Sequence, residues 1–214
     1  MTDLHQNQPV YSAGTALEQA DAAMILLHGR GASAHDILTL TQGFDPGGVA
    51  YLAPQAAGSQ WYPNRFIAPL ASNEPWFSSA IAWITQMLAH VQRAGLPLER
   101  IFLLGFSQGA CLALEYAARH PQRYGGVFGL SGALIENGDQ PRSYEGSLAG
   151  APVFLGCSDV DMHVPLARFE RTAEIFRQLG ASVTKRVYPG MGHTVNEDEL
   201  AFIRQQLSEA VAPR

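Results

Sequence analysis

A serine flanked by glycines is the feature of this sequence that most directly predicts chemistry. The pentapeptide Gly105-Phe106-Ser107-Gln108-Gly109 fits the pattern G-x-S-x-G, follows the apolar run Ile101–Phe106 and opens a segment of helical period that ends near Arg119. In such a strand–turn–helix the serine takes a strained backbone position, and the glycines let strand and helix approach closely. We therefore predict that Ser107 is a nucleophile; the alternative is that it only caps the helix.

A serine nucleophile needs a general base, and on this kind of turn the chain order is serine, acid, histidine. His193 lies in a loop with glycine and proline, between the last predicted strand and the last predicted helix. His163 stands two residues after Asp161 and fits a pocket wall better than the base. We predict His193 as the base. The histidines expected to have no role lie in a polar N-terminal tail or on helices and helix ends: His5, His35, His90 and His120.

Two aspartates compete for the role of the acid that orients the imidazole. Asp159 and Asp161 both follow the apolar run Pro152–Leu155, and either could reach the histidine. Val164-Pro165 marks the start of the next helix, because proline suits the first turn. We favour Asp161 and keep Asp159 as the alternative.

Two backbone N–H groups are predicted to form an oxyanion hole. The Gln108 N–H lies at a helix N-terminus, where partial positive charge and free donors face outward. His28-Gly29-Arg30-Gly31 follows the apolar run Ala22–Leu27, and its turn can aim the Arg30 N–H at the same point. The alternative is a plain glycine turn that ends a strand. Whether the Arg30 side chain binds a substrate group or solvent stays open.

Apolar runs and helical segments alternate along the chain, which predicts an α/β fold with a mostly parallel sheet flanked by helices. The predicted strands are 22–27, 49–53, 101–106, 127–130, 152–155 and 183–188, and the predicted helices are 75–94, 108–119, 166–179 and 197–211. The irregular stretch Gln55–Pro75 is long for a loop and rich in aromatic residues, so we place it beside a pocket.

Composition limits the number of domains, the partners, the cellular location and the cofactors that we expect. With 214 residues, 47% of them hydrophobic, we expect one domain over residues 1–214, with residues 1–20 as a tail or an edge strand. A net charge of −5 without a basic block argues against nucleic acid as a partner. The two cysteines suit a reducing compartment, and neither a signal peptide nor a membrane span is evident, so we expect a cytoplasmic protein without stable membrane insertion. No Cys/His cluster has metal-ligand spacing, and no metal or other cofactor is expected.

Five motifs in order resemble the phospholipase/carboxylesterase family, to which acyl-protein thioesterases also belong. They are Leu26-Leu27-His28-Gly29, Gly105-Phe106-Ser107-Gln108-Gly109, Leu130-Ser131-Gly132, Asp161-Met162-His163-Val164-Pro165 and Pro189-Gly190-Met191-Gly192-His193. The resemblance runs from about residue 20 to 210. It implies a compact α/β-hydrolase fold with little or no cap domain, Ser107 as nucleophile, Gln108 as oxyanion donor, Asp161 as acid and His193 as base. Many members place the acid where this chain has Asp159.

These observations predict a serine carboxylester hydrolase that acts on small or medium acyl esters through an acyl-enzyme intermediate. The alternatives are an acyl thioesterase or lysophospholipase, an enzyme like dienelactone hydrolase, and a non-enzymatic receptor that uses the pocket to bind a small ligand. A small-molecule ester or thioester is the expected partner, and pairing into a homodimer stays open. The predicted pocket walls are Trp61, Phe66, Met162, Val164 and Met191.

Overall fold

The computed structural model describes residues 3–212, in which seven strands form one sheet. The strands are β1 (Val10–Gly14), β2 (Ala22–Leu27), β3 (Val49–Pro54), β4 (Ile101–Phe106), β5 (Gly126–Leu130), β6 (Pro152–Ser158) and β7 (Ser182–Tyr188). Their order in the sheet is β1-β3-β2-β4-β5-β6-β7. β1 runs antiparallel to β3, and every other neighbouring pair is parallel. The predicted α/β class with a mostly parallel sheet is confirmed.

Helices cover both faces of this sheet. They are α1 (Ala34–Thr39), α2 (Thr41–Phe44), α3 (Trp76–Arg93), α4 (Gln108–Arg119), α5 (Leu166–Gln178) and α6 (Glu197–Val211). Alternate residues of each strand face opposite sides, so the sheet has an apolar core on each face. Ile25 and Leu103 pack into the core shared with α3, α4 and α5, whereas Met24 and Leu104 pack into the core shared with α2 and α6.

The structure departs from the sequence prediction mainly at short elements. For residues 1–20 the sequence left two possibilities, a tail or an edge strand. In the structure Val10–Gly14 forms an edge strand. The short helices α1 and α2 were not expected, and α1 begins with a capping box between Ser33 and Asp36. In residues 3–212 the segment 131–151 between β5 and β6 contains no helix. This agrees with the expected fold, which has little or no cap domain. None of the helices in that part of the chain combines the length and the apolar character needed to cross a bilayer.

His5 is part of the folded core and not, as the sequence had indicated, of a polar N-terminal tail. His5 is fully buried, with its ring 5.4 Å from the Trp61 ring and 5.7 Å from the Trp76 ring. Its Nδ1 accepts a hydrogen bond from Ala57 N–H at 3.1 Å, and its Nε2 lies 3.1 Å from the Trp61 carbonyl oxygen. Burial lowers the pKa of this imidazole, so the neutral ring ties the N-terminal segment to the loop that follows β3.

Candidate active site

The nucleophile turn joins β4, the middle strand of the sheet, to α4. Ser107 has φ 55° and ψ −117°, a conformation that L-residues rarely adopt. A Cβ on Gly105 would lie 2.2 Å from the Gly109 backbone, and a Cβ on Gly109 would lie 2.0 Å from the Leu27 carbonyl oxygen. Since backbone atoms cannot move aside, only glycine fits at both positions. This close packing holds the strained serine at the carboxyl end of the sheet.

Three side chains from separate loops meet in a linear hydrogen-bonded series. Ser107 Oγ is 2.8 Å from His193 Nε2, and His193 Nδ1 is 2.7 Å from Asp161 Oδ2. A histidine that donates from Nδ1 to the carboxylate leaves Nε2 free to accept the serine proton. The Phe106 ring packs against the imidazole, with ring centres 5.1 Å apart. The arrangement can deprotonate a hydroxyl as it attacks a carbonyl carbon.

The Asp161 carboxylate is enclosed by donors. Its side chain is fully buried, and Oδ1 accepts from His163 N–H at 2.8 Å and from Val164 N–H at 3.0 Å. Burial alone would raise the pKa of this carboxyl, but the hydrogen bonds from His193 and from the two backbone N–H groups outweigh it and hold the pKa below its usual value. The carboxylate therefore stays ionised beside the imidazole.

Asp159 has a different place in the site. Its side chain is exposed, and Oδ1 accepts from Gly190 N–H at 2.8 Å. It thus connects the loop after β6 to the loop that carries His193. The structure brings Asp161, the favoured of the two sequence candidates, to the histidine and leaves Asp159 as a link between the loops.

Two backbone donors face the space beside Ser107. Arg30 and Gln108 line the same cavity as Ser107, and within residues 3–212 neither backbone N–H has a protein acceptor. The Gln108 side chain is held by Trp61 N–H, which donates to Oε1 at 2.9 Å, and by the Tyr62 carbonyl, which accepts from Nε2 at 2.7 Å. The Gln108 side chain therefore links the turn after β4 to the loop after β3.

His28 fixes the turn that carries Arg30. Its buried ring places Nδ1 2.8 Å from the Gly29 carbonyl oxygen, and Nε2 accepts from Ala56 N–H at 3.1 Å. Burial lowers the pKa of His28, and a neutral ring is the form these two contacts require. The Trp61 indole N–H donates to the His28 carbonyl oxygen at 2.9 Å. The two buried histidines, His5 and His28, both pack against the Trp61 ring, with ring centres 5.4 and 5.2 Å away.

A cavity of about 310 Å³ opens beside Ser107. Of the predicted pocket walls, Phe66 and Val164 line it. The other three do not, which corrects the expectation for each. Trp61 is wholly buried, and its indole N–H donates to the His28 carbonyl oxygen. Met162 is 89% exposed, and Met191 contacts Asn196 instead.

Sequence reasoning missed several residues of this cavity. Tyr62 and Arg65 line it from the irregular stretch after β3, and Phe106 and Cys111 line it beside the nucleophile turn. The length of that stretch indicates a pocket, but no periodic pattern shows which of its side chains point inward. His163, which the sequence placed at a pocket wall, lies on the cavity with its ring 4.6 Å from the His193 ring.

A buried carboxyl group lies near the histidine loop. Glu199 is fully buried at the start of α6, with Oε2 accepting from Asn196 N–H at 3.0 Å and no protein partner in residues 3–212 for Oε1. Burial raises the pKa of Glu199 to about 7. A Cβ on Gly156 would lie 1.9 Å from Glu199 Oε1, so the carboxyl packs directly against the end of β6. In residues 3–212 no group of three or more His, Cys, Asp or Glu side chains is arranged to hold a metal ion.

Together, a mostly parallel sheet with a strained serine after its middle strand and a histidine after its last strand defines an α/β-hydrolase. The model of the family described as Phospholipase/Carboxylesterase matches residues 13–211, and the chain belongs to this family. It is similar to a crystal structure of a phospholipase/carboxylesterase from Dyadobacter fermentans, with a TM-score of 0.89 and 36% identity over 94% of this chain and 96% of that one. The predicted family and the predicted enzyme class, a hydrolase of carboxylic esters, are confirmed.

Curated relatives are named as thioesterases. The chain is 28% identical to acyl-protein thioesterase 1 of Eremothecium gossypii, with 96% of this chain and 97% of the relative covered. It is 35% identical to acyl-protein thioesterase 1 of Gibberella zeae over 53% of this chain, and that match spans about half of the relative's length, 51%.

Proposed function

We propose that the protein is a serine carboxylester hydrolase that acts on small or medium acyl esters through an acyl-enzyme intermediate. The observation that supports the proposal most strongly is the series Ser107 Oγ, His193 Nε2 and Asp161, joined at 2.8 and 2.7 Å. Such a series lets a neutral hydroxyl act as a nucleophile at neutral pH. A serine that only capped the helix would need neither the histidine nor the aspartate.

In the proposed reaction Ser107 Oγ attacks the ester carbonyl carbon while its proton passes to His193 Nε2. The Arg30 and Gln108 N–H groups donate to the oxyanion, and Asp161 stabilises the imidazolium. The C–O bond to the alcohol breaks, and the alcohol leaves with the proton from His193. Water then attacks the acyl-enzyme, again through His193, and releases the carboxylic acid and free Ser107.

Turnover of a p-nitrophenyl ester and labelling by a fluorophosphonate test this proposal. We expect Ser107→Ala to lower kcat by roughly five to six orders of magnitude and to abolish labelling. Ser208→Ala, which removes an exposed hydroxyl on α6, is the matched control and should behave as wild type. Wild-type turnover and labelling in Ser107→Ala would overturn the proposal.

A second candidate is an acyl thioesterase, favoured by the name of the Eremothecium relative, which this chain covers almost completely. The catalytic groups would be the same, so a pair of oxygen ester and thioester with one acyl group separates the two by their ratio of kcat/KM. A cysteine nucleophile, as in enzymes like dienelactone hydrolase, is disfavoured because burial raises the pKa of both Cys111 and Cys157 to about 12. Stable binding of an ester without turnover would favour the receptor alternative.

A further inference from the structure

The cavity beside Ser107 has two arginines and no carboxylate in its lining. Arg30 and Arg65 line it, and none of its lining residues in the described part of the chain is Asp or Glu. The nearest carboxylate of the catalytic series, Asp161, is already paired with His193. In a protein with a net charge of −5, this concentration of positive charge at one cleft is local and contrary to the overall balance.

The Arg30 guanidinium is held in place by neutral groups. Nη1 donates to Gln60 Oε1 at 2.9 Å and to the Pro63 carbonyl oxygen at 2.6 Å, and Nη2 donates to the Asn64 carbonyl oxygen at 2.6 Å. These contacts fix the side chain without neutralising it. A guanidinium has five N–H donors, so two remain without a protein acceptor in residues 3–212.

Arg65 adds a second uncompensated charge. It is exposed, and the only hydrogen bond of its side chain within residues 3–212 is a long one, 3.4 Å, from Nη2 to the His163 carbonyl oxygen. Some other arginines of the chain are paired with acids: Arg119 and Arg142 both bind the buried Glu115, at 2.7 and 2.5 Å. The two arginines of the cavity have no such partner among the described residues.

An apolar pocket of about 300 Å³ adjoins this cavity and shares Gly29, Ala32 and Phe106 with it. Ile37, Leu40 and Val195 line its far side. The one carboxylate there, Asp36, is bound to Ser33 and repels an anion. The site therefore combines a cavity whose lining includes two arginines with a mainly apolar pocket, and the two meet at the shared residues.

We infer that the site takes esters that carry a carboxylate within a few atoms of the scissile bond, held by Arg30 and Arg65. This inference rests on the proposed hydrolase function and names the substrate class for it. A fixed guanidinium with two free donors suits a planar carboxylate, which accepts two parallel hydrogen bonds. Arg65, whose side chain makes a single long hydrogen bond, binds the same group from the loop after β3. The apolar pocket receives the uncharged part of the ester.

The test compares esters that differ only in charge. The anionic set consists of the monoethyl esters of succinic, glutaric and adipic acids, and each is paired with the neutral ester in which a carboxamide replaces the free carboxylate. A second pair, 3-acetoxypropanoate and 3-acetoxypropanamide, places the charge on the alcohol side. We expect wild type to favour at least one anionic ester by about five- to twentyfold in kcat/KM, mainly through KM, as suits ion pairs in a partly desolvated cleft.

Arg65→Gln and Arg30→Gln should each reduce this preference, and the double variant should bring it close to one. Arg123→Gln is the matched control: it removes the same charge from an exposed arginine just before β5, at the opposite end of the sheet, and should retain the preference. Since Arg30 also anchors the 60–64 loop, Arg65→Gln alone suffices if Arg30→Gln does not fold. Raising the NaCl concentration from about 0.02 to about 0.5 M should weaken the wild-type preference.

Equal kcat/KM for every charged and neutral pair would overturn the inference, as would a preference that survives in the double variant or disappears in Arg123→Gln. In those cases hydrolysis that depends on Ser107 would still support the proposed function. Failure of wild type to hydrolyse any ester, together with no phosphonate labelling of Ser107, would instead remove the proposed function itself.

Discussion

The serine side of the site and its histidine–acid side are built in different ways. Ser107 sits on a turn whose neighbours are buried and whose glycines are in contact with backbone atoms of β2 and α4. The loops that carry Asp161 and His193 are partly exposed, and they are held by a few hydrogen bonds to Asp161 and Asp159. A glycine in the histidine loop, Gly190, would have nothing within 4 Å of an added Cβ.

This difference shows that backbone sterics set the position of the nucleophile, whereas side-chain hydrogen bonds set the position of the base. Adding atoms to the packed serine turn should therefore cost stability, whereas removing a hydrogen bond on the other side should cost activity with little loss of stability.

On the histidine–acid side, the largest effect on kcat is expected from Asp161→Asn. The amide would present N–H to His193 Nδ1 and so favour the tautomer that has its proton on Nε2, which cannot accept from Ser107. We expect kcat to fall roughly 10⁴-fold, while the free energy of unfolding changes by at most about 1–2 kcal/mol. Ester hydrolysis and urea denaturation of the same preparation measure both. Near-normal kcat would transfer the role of acid to Asp159.

Gly109→Ala should destabilise the fold most strongly, because its Cβ would lie 2.0 Å from the Leu27 carbonyl oxygen. We expect a loss of at least about 4 kcal/mol in the free energy of unfolding, or no folded protein. Gly190→Ala is the comparison on the histidine side: its φ of 69° makes alanine strained, yet there is space, so about 1 kcal/mol is expected. Similar losses for the two variants, measured by circular dichroism in urea, would contradict the proposed asymmetry.

Glu199→Gln should change the pH dependence of stability. Because the folded pKa of Glu199, about 7, exceeds its ordinary value of 4.5, the folded state holds the proton more tightly. That contribution to wild-type stability is fully present below pH 4.5 and is lost as the pH rises through 7. Glutamine mimics the protonated carboxyl, so the variant should match wild type at acid pH and exceed it by about 2–3 kcal/mol above pH 7. A difference that does not vary with pH would argue against a buried, protonated carboxyl.

The smallest effect is expected from Asp159→Asn, which weakens the bond from Gly190 N–H to the Asp159 carboxylate. The His193 loop should then sample more positions, lowering kcat about tenfold with less than about 1 kcal/mol of lost stability. Steady-state kinetics of Asp159→Asn and Asp161→Asn, measured side by side, compares the two losses in kcat. A fall as large as that of Asp161→Asn would mean that Asp159 does more than link the two loops.

Much of the fold and part of the site were predictable from local patterns. The apolar runs predicted six strands because parallel strands buried on both faces are apolar throughout, and the glycines around Ser107 marked a turn where only glycine fits. The loop after the last strand indicated His193. The short helices α1 and α2 were not predicted, because a helix of fewer than two turns is too short to show a recognisable hydrophobic period.

Other parts depend on contacts between distant segments. His5 looks like a tail residue until the loop with Trp61 folds over it, and no local pattern shows that the Glu199 carboxyl packs against β6. Three of the five predicted pocket walls lie outside the cavity, whereas Arg65 and Tyr62 lie on it. In each case the sequence shows the residue type, but the residues that it contacts lie in a distant part of the chain.

The sequence by itself determined the succession of six strands and four long helices along the chain, the strained serine turn and the chain order of serine, acid and histidine, because these follow from local period and sterics. Only the tertiary structure decided which aspartate meets His193 and that two arginines converge without a carboxylate partner among the described residues. Those outcomes depend on how parallel strands bring loops together at one edge of the sheet, over sequence separations that no local pattern spans.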